Sequence, residues 1–156
     1  MAIGVYPGSF DPITFGHIDI ATRAAKLFET VHVLVVHNPA KSPKLSLEKR
    51  VELVRGVLAN QPGNFVVSSL ASGLLVDYCK EVKAEALVKG IRTNVDLDYE
   101  LPMAQVNRDL SGIETVFIPA DPAHGFISSS LVKQVADLGG DISKYVPALV
   151  EKALKN

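Results

Sequence analysis

A single cysteine, Cys79, is present in 156 residues. An internal disulfide is therefore excluded, and a lone thiol fits a reducing compartment, so the expected location is cytoplasmic. Neither sign of charge is in excess: 16 Lys and Arg against 17 Asp and Glu leave a net charge of −1, which argues against a strongly basic nucleic-acid binder. No apolar run approaches the roughly 18 residues that a membrane helix needs. The most apolar stretch, 31–36, already contains His32, and no membrane association is expected. The first residues lack a basic leader and are broken by Pro7 and Asp11, so they do not read as a signal peptide. Repeats, low-complexity tracts and linkers are missing too, which makes residues 1–156 one expected domain.

Several catalytic signatures are also absent. There is no G-x-x-x-x-G-K-[ST], which argues against a P-loop kinase, and no G-x-G-x-x-G after the first apolar run, which argues against a dinucleotide dehydrogenase. Without a reactive cysteine or a serine elbow, nothing suggests a covalent acyl intermediate. The four histidines, His17, His32, His37 and His124, have no H-x-x-x-H spacing that would suggest zinc, and no protein metal ligand is assigned.

What is present is alternation. Short aliphatic runs at 3–6, 31–37, 64–69, 86–89 and 115–118 have the length of buried strands. Between and after them lie segments with helical spacing at 17–29, 46–60, 74–82, about 96–110, 129–138 and 147–155. Ser46 suits an N-cap and Pro147 a first turn. The pattern predicts an α/β, Rossmann-like fold: a five-stranded parallel sheet with helices on both faces. A mean hydropathy of +0.22 leaves room for an apolar face that pairs with another copy.

In such sheets ligands bind beyond the carboxyl ends of the strands. The first strand runs into 7–17, a Gly- and Pro-punctuated turn that opens a helix. The second runs into Asn38-Pro39-Ala40-Lys41-Ser42-Pro43-Lys44, the fourth into Lys89-Gly90-Ile91-Arg92, and the fifth into 119–125 and then Ser128-Ser129-Ser130. One rim thus collects Lys41, Lys89, Arg92, two helix N-termini and short hydroxyl side chains. Cations, free first-turn N–H groups and hydroxyls are the equipment for a phosphorylated nucleotide.

Thr14-x-Gly16-His17 is similar to the T/H-x-G-H signature of the nucleotidyltransferase superfamily. The segment from Tyr6 to Ile20, Asn38-Pro-Ala-Lys41, Lys89-Gly-Ile-Arg92, Asp98-Tyr-Glu100 and the segment from Phe126 to Lys133 together resemble the bacterial phosphopantetheine adenylyltransferases, across essentially the whole chain. The resemblance implies attack of 4′-phosphopantetheine on the α-phosphate of ATP, giving dephospho-coenzyme A and pyrophosphate. It also implies a homohexamer, and Mg²⁺ bound mainly through the ATP phosphates.

By resemblance His17 is the catalytic group, with Lys41 and Ser9 beside it. Read alone, a helix-start histidine could equally cap a turn. Thr14 stands where other superfamily members have a second histidine and is expected to matter less. ATP is expected to be bound by Ser9, Phe10, His17, Gly90, Ile91, Arg92, Glu100, His124, Gly125, Phe126, Ile127, Ser128, Ser129 and Ser130. The acceptor is expected at Ser9, Lys41, Leu75 and Lys89. Lys89 stands where many members carry arginine, and lysine cannot form the bidentate fork. Lys44 is read as a solvated loop lysine, and Leu75 taken alone as a core residue. Pro102 departs from a continuing helix: harmless if the helix begins near Asp98, a kink if it begins at Asp96. Two other readings stand beside this one. The chain could use another acceptor, such as nicotinamide mononucleotide, or transfer a cytidylyl group; or it could be a non-catalytic ATP sensor.

Overall fold

The computed structural model describes residues 1–155. Five strands, β1 (Ile3–Gly8), β2 (Thr30–Val36), β3 (Phe65–Leu70), β4 (Ala86–Ile91) and β5 (Glu114–Pro119), form one sheet of order β3-β2-β1-β4-β5. Every pairing is parallel. Six helices accompany them: α1 (Phe15–Ala24), α2 (Leu47–Leu58), α3 (Leu75–Glu81), α4 (Asn94–Ser111), α5 (Ser129–Asp137) and α6 (Ala148–Lys155). This is the expected Rossmann-like α/β arrangement.

The two sides of the sheet follow from side-chain alternation along each strand. Tyr6, Val33, Val35 and Val88 point to the face packed by α1, α2, α5 and α6. Val5, Leu34 and Leu87 point to the other face, where Val76 and Cys79 of α3 and Ile113 cover them. That second layer is thin. The 18-residue α4 has no buried residue at all, and Val95, Tyr99, Val106 and Leu110 on it are exposed.

Helix ends differ from the expected bounds where capping decides them. α1 starts two residues earlier than 17 because Thr14 is its N-cap, and it ends at Ala24 instead of continuing to 29. α4 starts at Asn94 because Thr93 accepts from the Asp96 N–H at 3.2 Å, and it ends on Gly112 at φ 77°. Pro102 therefore lies inside a helix, where its missing N–H leaves the Asp98 carbonyl without the usual partner.

The feature that positions the site is a divergence in the sheet. β1 pairs with β2 over six residues, from Ile3↔Thr30 to Gly8↔Val35, but with β4 only at Gly4↔Ala86 and Val5↔Leu87. The chain order reverses at this junction. Beyond Val5 the two central strands part, and a cleft opens between their carboxyl halves.

Candidate active site

A cavity of about 880 Å³ occupies that cleft. The turn after β1, the first turn of α1, the loop after β2, the end of β4, the start of α4 and the start of α5 all contribute to its wall.

The turn after β1 is built around Phe10. Its ring is 2% exposed and stands edge-on to Tyr6 and His17, with ring centroids 5.4 and 5.0 Å away. The backbone of Phe10 is left-handed, φ 46°, a conformation tolerated because the buried ring fixes it. A Cβ on Gly8 would lie 3.0 Å from this ring, so the close approach needs glycine. Phe10 thus supports the His17 ring from within the core.

Thr14 and His17 form a reciprocal cap at the start of α1. The Thr14 backbone N–H donates to His17 Nδ1 at 3.0 Å, and Thr14 Oγ1 lies 3.1 Å from the same nitrogen. Nδ1 is therefore an acceptor, which places the ring proton on Nε2. Burial, with the positive charge of Arg92 second, pushes the His17 pKa down to about 4. At neutral pH the ring is an uncharged N–H donor on the cavity wall. Thr14, expected to matter less, is what fixes the tautomer.

Asp11 ties three segments together. Its carboxylate, 5% exposed, accepts from the backbone N–H of Lys44 at 2.9 Å, that of Leu45 at 3.0 Å, and Lys133 Nζ at 2.9 Å. Burial alone would raise its pKa, but the Lys133 ammonium and these N–H groups hold the carboxyl below its ordinary value. The loop that carries Lys41 is anchored by this contact. Lys44, read as solvated, pairs its ammonium with Asp137 of α5 because the anchored loop runs past that helix.

Arg50 of α2 is 2% exposed and also lines the cavity. It donates to the carbonyls of Leu45, Ser9 and Val36 at 3.2, 2.8 and 3.3 Å.

On the opposite wall, Lys89 Nζ lies 3.4 Å from Glu100 Oε2, so the expected acceptor cation and the expected nucleotide carboxylate are paired with each other. Arg92 is held by Asp96 at 3.4 Å and by the Ile127 carbonyl at 3.1 Å. Ser128 caps α5, and Ser129 Oγ donates to the Pro12 carbonyl at 2.8 Å, locking α5 onto the turn after β1. His124 Nδ1 is buried with no partner among the described residues. A Cβ on Gly90 would meet Ile20 of α1 at 3.0 Å, so glycine lets α1 approach β4 here.

Of the residues named from sequence, Ser9, Phe10, His17, Lys41, Lys89, Gly90, Arg92, Glu100, His124, Ile127, Ser128, Ser129 and Ser130 share the cavity wall. Ile91, Gly125, Phe126 and Leu75 do not line it. Ile91 ends β4 opposite Pro119, Phe126 is exposed with its ring 6.0 Å from Tyr145, and Leu75 packs against the α3 core. Sequence reasoning missed Asp11, Arg50 and Lys133. A signal for Arg50 was present: it falls at the first position of the buried 50, 53, 54, 57, 58 stripe of α2, where a charged residue is out of place.

Among the described residues no group of three or more His, Cys, Asp or Glu is placed to hold a metal ion, and no helix is long and apolar enough to cross a membrane. The cavity carboxylates Asp11, Asp96 and Glu100 already face Lys133, Arg92 and Lys89.

The cytidylyltransferase-like family model matches residues 5–135. A phosphopantetheine adenylyltransferase of Clavibacter michiganensis is 55% identical over 154 residues, covering 97% of this chain and 94% of that protein. One of Leifsonia xyli is 54% identical over 156 residues, covering 99% and 98%. Among solved structures, a nicotinic acid mononucleotide adenylyltransferase of Plasmodium falciparum, complexed with NaAD, superposes with a TM-score of 0.71 at 17% identity, over 97% of this chain and 93% of that one. That last likeness is one of fold.

Proposed function

The chain belongs to the phosphopantetheine adenylyltransferase family of cytidylyltransferase-like enzymes, and from that premise we propose that it transfers the adenylyl group of ATP to 4′-phosphopantetheine. The products are dephospho-coenzyme A and pyrophosphate. An oxygen of the acceptor's phosphate attacks the α-phosphorus in line, and the bond from that phosphorus to the bridging oxygen of pyrophosphate breaks. A phosphate oxygen is already nucleophilic, so the reaction needs neither a general base nor a covalent enzyme intermediate. Positioning and charge stabilisation carry the rate.

The observation that carries this chemistry is the neutral His17 ring, with Nδ1 engaged by Thr14 and the proton left on Nε2. Such a donor stabilises charge growing on the α-phosphate oxygens without trapping the ground-state triphosphate as a cation would. Ser9 and Lys41, on loops to one side of the cleft, take the acceptor's phosphate. Arg92 and the start of α5 take the triphosphate, and His124 lines the same wall. Lys89 serves the acceptor, with Glu100 at 3.4 Å fixing the position of its ammonium.

Mg²⁺ fits this donor set as a companion of ATP. The cavity carboxylates are committed to lysine and arginine, so phosphate oxygens and water would supply most of its ligands. When bound, it neutralises triphosphate charge. We also infer a homo-oligomer, a hexamer by family, in a cytoplasmic setting. Support for association comes from α4, whose lack of any buried residue is unusual for an 18-residue helix.

The test is pyrophosphate release from ATP and Mg²⁺ with 4′-phosphopantetheine, nicotinamide mononucleotide or no acceptor. Release with phosphopantetheine alone is expected. Release only with the mononucleotide would overturn the acceptor, and ATP binding without release would favour a sensor.

A further inference from the structure

A guanidinium that is 2% exposed ordinarily has a carboxylate beside it, because an uncompensated charge is costly to bury. Arg50 has none: among the described residues its partners are three backbone carbonyls, of Leu45, Ser9 and Val36. Those bonds use Nε and Nη1, and among the described residues Nη2 has no protein acceptor. The same residue lines the cavity.

The three carbonyls come from informative places. Ser9 lies just after β1, Val36 ends β2, and Leu45 closes the loop that carries Lys41. Arg50 therefore crosslinks, from below, the two segments that converge on one end of the cleft, and it brings a fixed positive charge there. A carbonyl cage orients a guanidinium but leaves its net charge in place. A dianionic phosphate seated between Ser9 and Lys41 would supply the missing counter-charge.

We propose that Arg50 is the buried counter-charge and positioning residue of the acceptor-phosphate seat, holding the Ser9 and Lys41 segments in register and lending the phosphate a second positive charge. This rests on the proposed transfer to 4′-phosphopantetheine. The distinguishing feature is selectivity: Arg50 acts on the phosphate end of the acceptor, not on its pantetheine arm and not on ATP.

Binding of 4′-phosphopantetheine and of pantetheine, which lacks the phosphate, is compared in wild type, Arg50→Gln and Arg50→Lys, alongside the KM for ATP. In Arg50→Gln the preference for the phosphorylated acceptor is expected to fall roughly tenfold or more, in line with the loss of a charge-assisted contact, while the KM for ATP stays within about twofold. Arg50→Lys, which keeps the charge but not the fork, should fall between. An unchanged preference in folded variants, or acceptor and ATP affinities falling in parallel, would overturn the role. Should Arg50→Gln not fold, the wild type still decides. The Nε–H resonance of Arg50, assigned by its loss in Arg50→Lys, should shift on adding phosphopantetheine but not pantetheine, and no shift refutes the contact. Wild-type turnover with phosphopantetheine tests the underlying function separately: if it fails, the acceptor reading falls; if it succeeds while the variants behave as wild type, only the Arg50 role falls.

Discussion

Replacing Asp11 by asparagine should loosen the loop that carries Lys41 before it disturbs anything on the nucleotide side. The carboxylate is 5% exposed and accepts from two backbone N–H groups and one ammonium. Asparagine keeps the shape and one carbonyl oxygen, loses the charge, and turns two donors toward groups that are themselves donors. Removing one member of a buried ion pair typically costs about 3 to 5 kcal/mol. The Lys133 side chain is 26% exposed, so water takes up part of its stranded charge, which brings the expected loss to about 2 to 3 kcal/mol. For a chain of 156 residues each kcal/mol lowers Tm by about 3 °C, so calorimetry should register a fall of about 6 to 9 °C. In parallel, the KM for phosphopantetheine should rise several-fold more than that for ATP. Because the folded carboxyl lies below its ordinary value of 3.8, its stabilisation is present above that pH and fades as pH falls through the lower folded value. The stability gap between wild type and Asp11→Asn should therefore close in acid. A variant that melts within about 2 °C of wild type at neutral pH, with an unaltered acceptor KM, would refute the anchoring argument.

His17→Ala should lower kcat by about a hundred- to a thousandfold while leaving the KM for ATP nearly unchanged; a loss seen only in KM would mean that the ring binds the ground state and not the transition state. Since His17 titrates near 4 when folded and 6.5 when unfolded, the unfolded chain binds the extra proton between those values. Wild-type stability should thus decline as pH falls from 6.5 toward 4, by at most about 3 kcal/mol. His17→Asn should lack that part of the decline in urea titrations at pH 4.5 and 7, and His32, present in both proteins, cancels; parallel declines would contradict the buried neutral ring. On α4, Val106→Asp places a charge at a residue that is 56% exposed in the single chain. Light scattering should report a smaller assembly with an unchanged far-ultraviolet spectrum, whereas an unchanged mass would remove this face from the interface.

How much was legible from the residues depends on the range of the forces involved. Sheet and helices were readable because both are written into neighbouring positions, the strands as short aliphatic runs such as 31–36 and the helices as apolar residues at a 3.6-residue spacing, as along α2. The start of α1 was not, because it rests on two side chains reaching across one turn: Thr14 and His17 look like an isolated motif until their hydrogen bonds are drawn. Lys89 and Glu100 carry opposite charges eleven positions apart, on a strand and a helix, and only the turn between them brings the pair to 3.4 Å. Leu75 carries two readings, a ligand contact by resemblance and a core residue taken alone; it begins α3, where it is partly buried against the apolar cluster beneath that helix. Asp11 sits in a turn whose composition suggests only a bend, and its three partners lie 33, 34 and 122 positions away.

The two-residue junction between β1 and β4 gives the molecule a seam. Along it, the backbone groups of Tyr6, Pro7 and Gly8 that turn away from β2, and those of Val88 to Ile91 that turn away from β5, have no strand opposite them. A continuous ladder would have joined the halves of the sheet more firmly and left no room between them. A molecule lying across the gap acts as a rung, joining the β3-β2-β1 half to the β4-β5 half where protein hydrogen bonds do not. A product that spans the whole gap should therefore slow amide exchange along both lips at once, while a substrate that reaches only one lip slows that side alone.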